Sequence, residues 1–196
     1  MNKIILSALT AAAVILPASA QAQRAPAAVI VSVNTDRIAR DCTACKAATA
    51  TIQSQRTALQ TRAQALETQY QTEGKPIQDA VNALNGKQPD AALQQRVTAF
   101  QTKFQNLQRE LATTERNIQS TQINVNQQIG ARLRTIISSI ATARGANFAI
   151  DTGSTLYAAP AVDVTDVVLA QLNQQLPAVS VTPLPQTQQP ASPQGR

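Results

Sequence analysis

The chain has 196 residues, a length that suits one compact domain with an extension. Only 14% of the residues are charged and 3% are aromatic; there are 26 glutamines, no histidine and a formal net charge of +6. The missing histidine excludes Ser-His-Asp and Cys-His catalysis and every His-ligated metal site.

Six glycines, three Phe, two Tyr and no Trp speak against a large enzyme core or a Gly-rich nucleotide loop. The composition points to a mainly α protein with a small β part and a polar surface. It implies no catalytic residue, no metal and no cofactor.

Residues 1–22 read as a secretory signal peptide. Lys3 supplies the positive start, Ile4 to Leu16 is uncharged and apolar, and Ala18-Ser19-Ala20 and Ala20-Gln21-Ala22 are overlapping cleavage patterns. Spanning a bilayer takes about 20 apolar residues, so this stretch is too short to be an anchor. The mature chain is expected to be soluble and exported, and its charge drops from +6 to +5 with the loss of Lys3. Export also argues against a nucleic-acid partner, despite the basic balance.

Ala28 to Asn34 is short and β-branched, a strand, and Thr35 or Asp36 is placed to cap a following helix. A helical hairpin is expected over 36–145. Ile38, Cys45, Ile52, Leu59 and Leu66 fall seven apart, with Cys42, Ala63, Tyr70, Ile77 and Leu84 as companions. Thr49, Arg56 and Glu73 weaken this seam. Gly74-Lys75-Pro76 interrupts the outward arm, and Gly74 and Pro76 are expected to form a kink or hinge.

The tip is expected at 85–90, where Asn85-Gly86-Lys87-Gln88-Pro89-Asp90 is a dense turn signal. The seam resumes at Leu93, Val97, Phe100, Phe104, Leu107, Leu111, Ile118 and Val125, then shifts to Ile129, Leu133, Ile136 and Ile140. Gly145 is a plausible helix stop. Each arm should be about 70–80 Å long at the helical rise per residue.

Residues 23–35 and 146–176 are expected to form a β-rich body. Asn147–Asp151 and Thr155–Ala159 read as strands around a tight turn at Thr152-Gly153-Ser154. A short helix follows, started by Asp163-Val164-Thr165-Asp166 and carrying Val168, Leu169, Leu172 and Leu176. Residues 177–196 hold five prolines among Gln, Ser and Thr and are expected to be disordered. Three strands and one short helix make too small a core to stand alone, so a body shared between subunits is expected.

Cys42-Thr43-Ala44-Cys45 is a C-x-x-C pair. It reads as two buried small residues, a local disulfide, a redox pair, or half of a metal site completed by other subunits. The preceding Asp41 would raise a thiol pKa, and Arg40 and Lys46 would oppose it.

The strand and helix start from Val29 to Ile38, the long Gln-rich hairpin, and the closing segment from Asn147 to Asn173 together resemble the Skp/OmpH family of periplasmic chaperones. The resemblance spans about residues 28–173. It implies a jellyfish-like homotrimer whose strands form a central body and whose three coiled-coil hairpins enclose a cavity. It implies a periplasmic holdase that works without ATP, with unfolded outer-membrane proteins as partners and peripheral contact with anionic lipid.

One departure from the family pattern is the weak charge of the hairpin. From Lys46 to Arg116 it carries nine basic and six acidic residues, or +3. Near the tip Lys75, Lys87 and Arg96 are candidate contacts for clients or lipid, opposed by Glu73, Asp79 and Asp90. Other functions in view are a structural spacer of the cell envelope and a thiol-redox protein using Cys42 and Cys45.

Overall fold

The protein is described by a computed structural model over residues 26–185; the expected signal peptide and the last residues of the tail lie outside the described residues. The elements in chain order are β1 (Ile30–Val33), α1 (Thr35–Asp41), α2 (Thr43–Asn82), α3 (Ala91–Ala143), β2 (Phe148–Asp151) and α4 (Thr165–Gln175). Short 3-10 turns occupy Thr152–Ser154 and Pro160–Val162. The second strand expected at Thr155–Ala159 is therefore absent. Asp151 accepts from the backbone N–H of Gly153 and its carbonyl from the Thr155 hydroxyl, which curls the chain instead of extending it.

The sheet has two strands. β1 pairs in parallel with β2, from Ile30 opposite Phe148 to Val33 opposite Asp151. A parallel pair needs a crossover, and here the crossover is the whole α1–α3 segment. The other edge of β1 is held by one bridge, Ser32 to Asp163, where the Val164 N–H donates to the Ser32 carbonyl at 2.9 Å. Asn147 clips the incoming chain: its carbonyl oxygen accepts from Val29 N–H and its amide donates to the Ala27 carbonyl.

The helix starts and stops have local causes. Asn34, not Thr35 or Asp36, is the first cap, accepting from the Arg37 N–H at 2.8 Å. Asp90 caps α3 by accepting from Leu93 N–H at 2.8 Å. The tip turn places Asn85 and Gly86 at positive φ, a conformation these two residue types tolerate. Gly145, at φ +66°, ends α3 as expected. Ala146 N–H reaches the Ala141 carbonyl and Gly145 N–H the Thr142 carbonyl, the paired bonds of a Schellman stop.

The outward helix is not continuous from its start. Cys42 is extended (φ −65°, ψ 138°) and separates α1 from α2. The Asn173 side chain of α4 accepts from Thr43 N–H at this break, satisfying a donor that the new helix start leaves open. By contrast, α2 runs through Pro76 to Asn82.

The main core lies where β1, α1, the lower ends of α2 and α3, and α4 meet. It contains Val33, Ile38, Cys42, Ile136, Ile140, Val164, Val168 and Leu172. A second cluster above it joins Ala48 and Ile52 of α2 to Ile118 and Val125 of α3. Farther out Tyr70 meets Phe100 and Phe104, and Glu73 meets Lys103, so α2 and α3 run back along each other. All the seam positions expected on α3 are buried or half-buried. On α2 the inner face drifts: Ala44, Ala48 and Gln55 turn inward, while Thr49, Arg56 and Ala63 are exposed.

Residues 177–185 correct a second expectation. They are not loose, but lie along the hairpin, with Val179 and Val181 packed on the second cluster.

Candidate functional site

Three features of the molecule are candidates for function. The first is a groove of about 610 Å³ near the arm tip, lined by Tyr70, Gly74, Lys75, Ile77, Val97 and Phe100. Gly74 is there for space: an added Cβ would sit 3.0 Å from the Phe100 ring. Phe104 is buried, and Phe100 packs against it at 4.6 Å between ring centres. Tyr70 closes the cluster from α2 but stays about half exposed. The three aromatics thus fasten the arms together and leave one apolar edge open.

Charges frame this groove. Lys103 donates to both oxygens of Glu73 at 2.6 and 2.8 Å, across the hairpin. That hydrogen bond, then one from the Gln69 amide, holds the Glu73 carboxyl below its usual range. Glu73 is therefore a cross-strut of the arm as well as a gap in the seam. Lys75 lines the groove and pairs with Asp79 at 3.0 Å. Lys87 lies in the tip turn and Arg96 on α3; both are exposed, and neither has an ion pair among the described residues. Pro76 is inside α2, beside Lys75.

The second surface is on the body. Ile30 and its strand partner Phe148 are both exposed, together with Val29, Leu156 and Tyr157. Phe148 is 61% exposed and Tyr157 79%. Ile30 and Phe148 stand on the two-stranded sheet, and Leu156 and Tyr157 on the loop that follows it. Behind it, carboxylates lock the joints. Asp151 accepts from the Thr35 hydroxyl at 2.5 Å, tying β2 to the start of α1. Thr35 first, and the Gly153 N–H next, lower the Asp151 pKa. Asp163 accepts from the Thr165 hydroxyl and N–H, which likewise lower its pKa.

The third feature is the cysteine pair. Cys42 and Cys45 form a disulfide that spans the α1–α2 break. The pair stands at a helix N-terminus, where redox cysteines occur. Its sulfurs, however, belong to the main core, with Cys42 fully buried and Cys45 nearly so. Exchange requires access to a sulfur, and this burial withholds it.

Sequence reasoning missed the clips made by Asn147, Asp151 and Asn173. It also missed the contacts made by Gln128 and Asn124 with the tail. An isolated Asn or Gln in a Gln-rich chain carries no pattern that marks it.

The same architecture, a long helical pair on a small parallel-stranded body, is found in a solved structure. The structure superposes on the crystal structure of a protein from Caulobacter crescentus CB15, described as an OmpH-like outer membrane chaperone. The TM-score is 0.66 at 20% identity, covering 84% of this chain and 96% of that one. The family described as Outer membrane protein (OmpH-like) matches residues 29–172. The chain belongs to that OmpH-like family. No curated protein sequence matches it. No helix among the described residues is long and apolar enough to cross a membrane.

Proposed function

We propose that this chain is a periplasmic holdase that binds unfolded outer-membrane proteins and keeps them from aggregating, without ATP. Membership of the OmpH-like family supports the chaperone role. The observation that carries the mechanism is the arm itself: two helices whose apolar seam is closed by Phe104 but left open at Tyr70, Ile77 and Val97. Such a surface offers many weak contacts and little specificity. Enclosing a client between several arms raises the effective concentration of that surface around it.

The arms act together in a homotrimer. The exposed face of Ile30, Phe148, Leu156 and Tyr157 is where the bodies of neighbouring copies meet. Each arm flexes at Gly74 and Pro76, because Pro76 removes one helical hydrogen bond and clashes with the preceding turn. Lys75, Lys87 and Arg96 attract acidic clients or anionic lipid weakly and in a salt-sensitive way.

The test is the mass of the mature protein by light scattering, with and without a denaturant-unfolded outer-membrane barrel protein. A three-chain mass that takes up one barrel and keeps it from aggregating is expected. A monomer, or a trimer that ignores the barrel, overturns the reading and favours an envelope spacer.

A further inference from the structure

The segment after α4 is held on the hairpin through its backbone. Gln128 grips Ser180 twice: its side-chain oxygen accepts from the Ser180 N–H at 2.9 Å, and its amide donates to the Ser180 carbonyl at 3.0 Å. The Asn124 amide donates to the Thr182 carbonyl at 2.9 Å. The Leu184 N–H donates to the Ser120 hydroxyl at 3.0 Å.

The pattern is regular. Positions 120, 124 and 128 stand four apart on α3, and their partners 184, 182 and 180 stand two apart on the tail. Four helical residues rise about 6.0 Å. Two residues of extended chain advance about 6.2–6.8 Å. The two repeats nearly coincide, so one face of α3 pairs successive dipeptides of an extended chain without reading a side chain's identity.

Side chains add a second condition. Val179 and Val181 pack on Ala48, Ile52, Ile118 and Val125, while Ser180 and Thr182 face solvent. The groove therefore favours an extended segment with alternating apolar and polar residues. The chain climbs toward the arm tip, and Pro183 lines a cleft of about 440 Å³ between Leu59 and Leu111.

We infer that this face of the hairpin is a binding groove for extended polypeptide of alternating apolar and polar pattern, and that residues 178–184 are its resident occupant. Transmembrane β-strands have this alternation. Resting on the holdase reading, the inference gives the client class a site: unfolded barrel strands displace the tail and take its hydrogen bonds. A tail docked about four-fifths to nine-tenths of the time lowers apparent client affinity about five- to tenfold.

The test uses the full mature chain. Ser180→Pro with Leu184→Pro removes both tail donors, and proline still suits an extended backbone. NMR relaxation should show residues 178–184 of this variant becoming mobile. A synthetic peptide of residues 177–185 should then shift the Asn124 and Gln128 side-chain amide signals of the variant at about five- to tenfold lower concentration than it shifts those of the parent chain. Adding Asn124→Ala and Gln128→Ala should abolish binding, read from the Ile118 and Val125 methyl signals, which the peptide shifts in the variant that keeps both amide side chains. The unfolded barrel protein should compete with the peptide and bind the variant about five- to tenfold more tightly than the parent.

A tail that stays rigid without its donors, a peptide that fails to bind the released variant, or a barrel that does not compete overturns the inference. If neither chain binds the barrel at all, the holdase reading falls, and the peptide arm alone decides whether the groove exists.

Discussion

The base of the molecule and its upper arm are built from the same two helices, yet they are stabilised differently. At the base five elements converge and bury Ile38, Ile136, Val168 and Leu172 almost completely. Beyond the second cluster only α2 and α3 remain, and Leu66, Leu93 and Phe104 are buried there less completely than those residues of the base. Two helices can cover only one stripe of each other; a third element is needed to close the sides. The arm is therefore the less stable region, where opening is least costly.

The largest test of this contrast is truncation of one core residue in each region. Leu172→Ala should cost about 3 kcal/mol through lost burial and a cavity, lowering the thermal midpoint by about 6–12 °C. Phe104→Ala removes a larger side chain but should act locally. Hydrogen exchange should accelerate around 66–104, while the thermal midpoint moves less than half as far as for Leu172→Ala. Equal shifts in the midpoint would mean that arm and base unfold as one unit.

The next effect belongs to the base alone. Replacing both Cys42 and Cys45 by Ala frees a very short loop, for which chain entropy gives about 2 kcal/mol. Denaturant unfolding should show that loss with no change in exchange near the tip. A smaller change of opposite sign is expected at Ser32, whose buried hydroxyl has no hydrogen-bond partner among the described residues. Ser32→Ala should stabilise the protein by about 1 kcal/mol, the penalty of an unmet polar group. A loss of stability in the melting curve would show that the hydroxyl has a partner after all.

Acid sharpens the comparison most gently. Asp151 and Asp163 at the base and Glu73 in the arm all have pKa values lowered by the hydrogen bonds they accept. Since the folded values lie below the unfolded ones, their stabilisation is fully present above the ordinary carboxylate range. It is lost as pH falls through the folded values, below about pH 4. Asp151→Asn should flatten this acid limb of the stability curve. An unchanged limb would take the Thr35–Asp151 joint out of the account.

Much of the fold was legible in the sequence, for reasons that differ by element. α3 keeps its apolar positions in register because it is packed along its whole length, on α2 through the arm and on β1, α1 and α4 at the base. The tip and the α3 stop were readable because Asn85, Gly86 and Gly145 occupy conformations few other residues tolerate. The break at Cys42 was not, since no proline or glycine marks it and its cause is a tertiary one, the meeting of α1, α2 and α4. The expected strand at Thr155–Ala159 had suitable residues but no neighbour to pair with. The candidate cations were legible as residues, but only Lys75 proved to line the tip groove.

Composition and spacing by themselves determined that this is a helical hairpin without catalytic histidine, turned at 85–90 and stopped at Gly145. These are properties of local backbone preference and of one-dimensional periodicity. Tertiary structure alone decided that β1 and β2 pair in parallel across a crossover of more than a hundred residues, and that the cysteines are sealed in the core. It alone decided that residues 177–185 of the proline-rich tail lie in order on α3. In isolation that tail buries too little to offset its chain entropy. Ordered side chains of a helix already formed supply its hydrogen bonds, and no reading of the tail's own residues contains them.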